Sequence, residues 1–247
     1  MTSTVSSPTP LRTKALRGVG PESDTRDAIV KAALTLFAKH GVDGVSLRQI
    51  VSAAGQANPS AVHYHFQSKD GLISAVLQHV NSQLQPLQAQ AVASMDEARR
   101  LGTLNVREVM RLWATPLVLL YSSSDQGRMA VRFMSRLTWR PQYMGQEQLI
   151  GACMAHMDQV CDHLQALLPA ERPRERTFFL TLMATANLMH TLSDASMLSR
   201  HPNLGMSQLF LEQPFMLIDW IVDYMAAGLS EQPAMIRQGQ SPRDSAA

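Results

Sequence analysis

Apolar residues near the start of the chain recur at the helical interval and stop at recognisable signals. Ile29, Ala32, Ala33, Leu36, Phe37 and His40 follow one face of a helix that opens at a cap on Ser23 or Asp24 and ends at Gly41. A second helix is expected from Ser46, where Gln49 three residues on completes a capping box. It buries Leu47, Ile50, Val51 and Ala54 and ends at Gly55. A third opens at Asn58, with Pro59 at the first helical position where a missing N–H costs nothing, and carries Ala61, Val62 and Tyr64 to Phe66. A fourth starts at Ser68 and runs through Leu72, Ile73, Val76, Leu77 and Val80.

Longer helical patterns fill the remainder, near 82–101, 105–122, 126–138, 144–168, 174–199 and 207–228. Pro141, Pro169, Pro173 and Pro202 mark breaks, and Pro86 and Pro116 are expected to bend or end their segments. No alternating run argues for a strand. The expected architecture is all-α: a disordered, mildly basic arm over 1–22, a three-helix head over 23–80, a larger helical body over 81–229 and a disordered tail over 230–247.

The 247 residues carry a net charge of only +2, which argues against a general nucleic-acid coat. Its distribution says more. All four lysines (Lys14, Lys31, Lys39, Lys69) lie in the first 80 residues with Arg12, Arg17, Arg26 and Arg48, against five acidic residues, while the remainder is nearly neutral. A basic head on a neutral body fits a DNA-facing module. Cys153 and Cys161, eight residues apart on one expected helix, would stand about 12 Å apart, too far for a disulfide. With no apolar leader and no membrane-length apolar run, the expected location is the cytoplasm.

Two helices joined by the tight small-residue turn Ala53-Ala54-Gly55 form a helix-turn-helix pattern. Val62 and Phe66 would face inward on the third helix, leaving Pro59, Ser60 and His63 to approach base edges in a major groove. The stretch from Thr25 to Val80 resembles the N-terminal domain of TetR-type regulators. The resemblance is carried by the Thr-Arg opening at 25–26, "AALTLFAKHG" at 32–41, "VSLRQIVSAAG" at 45–55 and "YHFQSKDGL" at 64–72. It implies DNA contacts from Thr25, Arg26, Ser46, Arg48, Asn58, Pro59, Ser60, His63, Tyr64, His65 and Lys69. Among these, Arg48 and Lys69 match phosphate-contacting positions, and Tyr64 and His65 match an aromatic-histidine pair near the backbone. Two departures stand out. Ten residues separate Gly55 from Phe66, one more than the family's commonest spacing, and His63 stands where a tyrosine is common.

The resemblance also implies a homodimer, here through the apolar segments 174–199 and 207–228, and a small-molecule effector, largely apolar, held in the body. Candidate ligand residues are Trp113, Leu117, Tyr121, Phe133, Arg136, Leu137, Trp139 and Met157. His63 and His65 point roughly 200° apart on a helix, and Cys153, His156, Cys161 and His163 spread over two turns or more, so no metal site is expected. No nucleophile-base set or phosphate loop is present, and "SKDG" at 68–71 is a helix start; neither a cofactor nor catalysis is expected. The sequence thus points to a ligand-responsive repressor acting on a palindromic operator in double-stranded DNA. An activator, a ligand-blind regulator of the same fold and a small-molecule binder with a vestigial head remain as alternatives.

Overall fold

The computed structural model describes residues 21–56, 60–137, 146–194 and 214–230. They form the helices α1 (Pro21–His40), α2 (Leu47–Ala53), α3 (Ala61–Phe66), α4 (Lys69–Arg100), α5 (Val106–Ser123), α6 (Asp125–Leu137), α7 (Gln146–Gln165), α8 (Arg174–Ser193) and α9 (Pro214–Ser230), and no strand is found among the described residues. The expected arm and tail lie outside the described residues, apart from the first turn of α1.

Local signals set the short helices. The Ser46 capping box is made in full: the Ser46 amide donates to Gln49 Oε1 at 2.8 Å and the Gln49 amide donates back to Ser46 Oγ at 3.3 Å. At the other end of α2, the Gly55 amide reaches Ser52 O and the Gln56 amide reaches Val51 O, with Gly55 at φ 70°. That paired closure needs a left-handed residue, which glycine supplies without a side-chain clash. The third helix departs from expectation. It opens at Ala61, with the Ser60 carbonyl accepting its first bond from Tyr64 and no side-chain cap, while Asn58 and Pro59 lie outside the described residues.

A second departure concerns the join between head and body. The expected segments 68–80 and 82–101 are one continuous helix, α4, with Pro86 inside it, and the expected domain boundary at 80 falls within its length. Proline there removes the amide that would bond the Ser82 carbonyl. Packing outweighs that loss: Leu72, Ile73, Val76, Leu77, Val80 and Leu84 are buried before Pro86, and Ala91 and Met95 after it. Each large apolar side chain buried contributes about 1.5–3 kcal/mol, so the helix is held from both sides of the missing rung. Pro116, itself buried, is likewise carried within α5 without ending it.

One core runs through both parts of the chain. In the head, Ile29, Leu34 and Phe37 of α1 meet Ile50 and Val51 of α2, Val62 and Phe66 of α3 and the start of α4. In the body, α5 packs on α4 and α9, α7 on α4 and α8, and α6 on α5 and α8. The two parts join along α1 and α6, where Phe37 and Phe133 stack at 6.1 Å between ring centroids and Gln126 Nε2 donates to Thr35 Oγ1 at 3.1 Å.

The hinge between α5 and α6 depends on close approach at Gly127. A Cβ added there would come within 1.9 Å of the Leu120 carbonyl and 2.7 Å of Ser123 Oγ. Gly127→Ala should therefore lower stability by about 1–3 kcal/mol, read as a reduced urea midpoint at unchanged slope. A midpoint equal to wild type would show that the junction is looser than its geometry indicates.

Candidate nucleic-acid interface

The recognition surface is built by burying its supports. Val62 and Phe66 of α3 are 0% and 6% exposed, and Ile50 and Val51 of α2 close against them within the head core. What remains outside on α3 is Ser60, His63 and Tyr64, the last 73% exposed although tyrosines tend to be at least half-buried. His65 is half-buried and meets the Tyr64 ring edge-on at 5.0 Å. Arg26 of α1 sits over the Phe66 ring at 5.3 Å, so a cation from the first helix is held at the end of the third. Arg48 is exposed on α2 and Thr25 is half-buried on α1. Ser46 is exposed, but its hydroxyl is used in the capping box.

Lys69, expected as a phosphate contact, also has a partner within the head. Its ammonium donates to the Val45 carbonyl at 2.7 Å, across 24 residues, from a half-buried position. Sequence spacing gives no sign of that partner. The turn ahead of it is tight: Gln67 has φ 64°, its amide bonds His63 O, and the Ser68 amide bonds Phe66 O at 2.7 Å before Ser68 caps α4.

The described ligand candidates of the body lie on α5, α6 and α7. Trp113, Leu117, Phe133 and Leu137 are buried in the common core, Met157 is buried on α7, Tyr121 is half-buried, and Trp139 lies outside the described residues. Phe133, Arg136 and Leu137 face the head instead. With Phe37, His40, Val42, Asp43 and the loop glycines they line a cavity of about 280 Å³, and Arg136 donates to the Lys39 carbonyl at 3.3 Å. A residue that sequence reasoning set aside is more unusual. His156 is 7% exposed with neither ring nitrogen bonded, and burial pushes its pKa down to about 4. The neighbouring Cys153 thiol is pushed up to about 11 by burial. Its companion His163 lies 3.3 Å from Asp96 of α4. No group of three His, Cys, Asp or Glu side chains able to hold a metal occurs among the described residues. No helix among them is long and apolar enough to cross a membrane.

Residues 29–76 match the family model "Bacterial regulatory proteins, tetR family". The chain is similar to the HTH-type transcriptional repressor NicS of Pseudomonas putida, 38% identical over 74 residues, which is 30% of this chain and 34% of that protein. That likeness therefore spans about a third of the relative's length. Two solved structures share the fold through most of the chain. The fatty acid degradation regulator FadR from Bacillus halodurans aligns at TM-score 0.56 and 14% identity, over 87% of this chain and 100% of the other. SmeT, the repressor of the Stenotrophomonas maltophilia multidrug efflux pump SmeDEF, aligns at TM-score 0.54 and 21% identity, over 87% and 96%.

His156 gives a signed pH dependence. Its folded pKa lies below the ordinary 6.5, so between pH 6.5 and about 4 the unfolded chain binds a proton that the folded chain does not. Stability from this group is full above about pH 6.5 and falls with acidification, by up to about 3 kcal/mol near pH 4. Urea unfolding at neutral and acid pH should show this loss in the wild type and a smaller one in His156→Leu. Parallel losses in the two proteins would remove His156 as the cause.

Proposed function

We propose that this chain, which through its N-terminal head belongs to the tetR family of bacterial regulatory proteins, is a ligand-responsive transcriptional repressor. It acts in the cytoplasm as a homodimer on a palindromic operator in double-stranded DNA. Each head places α3 in a major groove, with the two half-sites about one helical turn, roughly 34 Å, apart. The observation that carries this reading is the outward face of α3, where Ser60, His63 and Tyr64 stand exposed on a helix anchored by Val62 and Phe66. Arg26, Thr25, Arg48, Ser46 and His65 flank that face and supply backbone contacts, with Asn58 and Pro59 proposed to join them from the turn. The names of NicS and SmeT, both repressors, favour repression over activation for this chain.

The dimer surface is proposed on α8 and α9. Thr181, Ala184 and Leu188 turn inward on α8, leaving Phe179 56% and Met183 44% exposed; Ile218, Val222 and Met225 turn inward on α9, leaving Trp220 51% and Tyr224 75% exposed. Each exposed pair is spaced four residues apart and so lies along one side of its helix. Large aromatics gathered on neighbouring helices favour a protein partner over water. Arg107 holds α9 to α5 through Asp223 at 2.6 Å and Asp219 at 3.2 Å, so the face is presented on a fixed helix. The effector is proposed to be largely apolar and to enter the body near Trp113, Leu117 and Tyr121 of α5 and Met157 of α7, with Phe133, Arg136 and Leu137 conveying the change to the head. Binding that favours one spacing of the two heads would release the operator by shifting the population.

Selection of duplexes from a random pool by the full-length protein tests the reading directly, and enrichment of an inverted repeat is the expected result. On the selected duplex His63→Ala should lose roughly tenfold in affinity and little on random DNA, whereas Arg48→Ala should weaken both and flatten the salt dependence by about one. Failure to enrich any sequence across salt concentrations would favour a helical small-molecule binder with a vestigial head. Separately, Phe179→Glu or Trp220→Glu should shift the protein to monomer in analytical ultracentrifugation. A dimer surviving both changes would place the interface elsewhere.

A further inference from the structure

Lys69 is the first residue of α4, and its ammonium reaches back 24 residues to the Val45 carbonyl at 2.7 Å. Val45 is 3% exposed and immediately precedes Ser46, the cap of α2. With seven residues, α2 is too short to persist on its own intrinsic preference, so its ends must be held from outside. The C-terminal end is closed by the turn at Gly55, and the N-terminal end by the capping box. Neither fixes where that first turn sits relative to α3. Lys69 does, because it follows α3 by only Gln67 and Ser68 and grips the backbone just ahead of α2.

We infer that Lys69 serves DNA binding chiefly as a positioning residue, holding the start of α2 through the Val45 carbonyl. The inference rests on the DNA-binding reading above. Swinging the ammonium out to a phosphate would strip the acceptor beside a buried residue of its charged donor, and buried backbone acceptors are costly to leave without one. Through that bond Lys69 acts on the placement of α2 and α3.

The test compares full-length wild type, Lys69→Gln and Lys69→Arg. Binding is followed by fluorescence anisotropy over a range of KCl concentrations, on the duplex selected by the wild type and on a random-sequence duplex. Amide hydrogen exchange over 46–53 is followed in the DNA-free proteins. A positioning role predicts that Lys69→Gln loses about tenfold on the selected duplex with an unchanged salt slope and near-normal random binding. It also predicts faster exchange over 46–53 and near wild-type behaviour for Lys69→Arg, which can still donate to a carbonyl.

A salt slope shallower by about one, with both duplexes weakened alike, overturns the inference in favour of a phosphate contact. Unchanged exchange over 46–53 overturns it too, as does an affinity loss that disappears once the variant is cooled well below its melting temperature. If the wild type binds neither duplex, the DNA-binding reading fails, while the exchange measurement still decides whether Lys69 holds α2.

Discussion

Two stacked phenyl rings, Phe37 and Phe133, decide that head and body form one structure. Phe37 belongs at once to the core of the head and to its seam with α6, and both rings are essentially withdrawn from water. Truncating a buried phenylalanine costs about 3–5 kcal/mol, a large part of the margin by which a domain is stable. The polar contacts of the seam are smaller in effect: the Arg136 bond to the Lys39 carbonyl is long and exposed, and the Gln126–Thr35 bond is a neutral pair. The apolar contact dominates, so α1 cannot leave α6 without opening the core that supports α2 and α3.

That dependence sets how the recognition surface is made. A six-residue helix such as α3 has no stability of its own, and Val62 and Phe66 hold it only while α1 and α2 are in place. Arg26 over Phe66 and Lys69 at Val45 then tie α1 to α3 and α4 to α2. Every element of the head is thus fixed at more than one point, and the side chains of Ser60, His63 and Tyr64 are exposed on the outer side.

The sequence was most legible where the determining groups are neighbours. Ser46 with Gln49, and Gly55 with the carbonyls behind it, announce the limits of α2 within a few residues, and the inward pair Val62 and Phe66 follows from helical spacing alone. Where partners are distant, pattern fails in a consistent way. Phe133 and Leu137 were expected among the ligand contacts of the body, yet periodicity does not say what a residue faces, and they line a cavity together with Phe37, His40 and Val42 of the head. Pro86 reads locally as a bend or an end because propensity counts the lost bond and cannot see the apolar side chains packed on either side. His156 looks like any other histidine until burial and its unbonded nitrogens are known.

At 32 residues α4 is about 48 Å long; it begins in the head and runs on through the body, where Ala91 and Met95 are buried. A rod of that length is a lever: a tilt of about 5° about its far end carries the near end about 4 Å, comparable to the rise between neighbouring base pairs. Pro86, the eighteenth of those residues, removes a backbone rung close to the middle. The rod therefore lacks one rung near mid-span, while Leu72 to Val80 are packed into the core at its near end. Over such a length a small change of angle at one end is a displacement of several ångströms at the other.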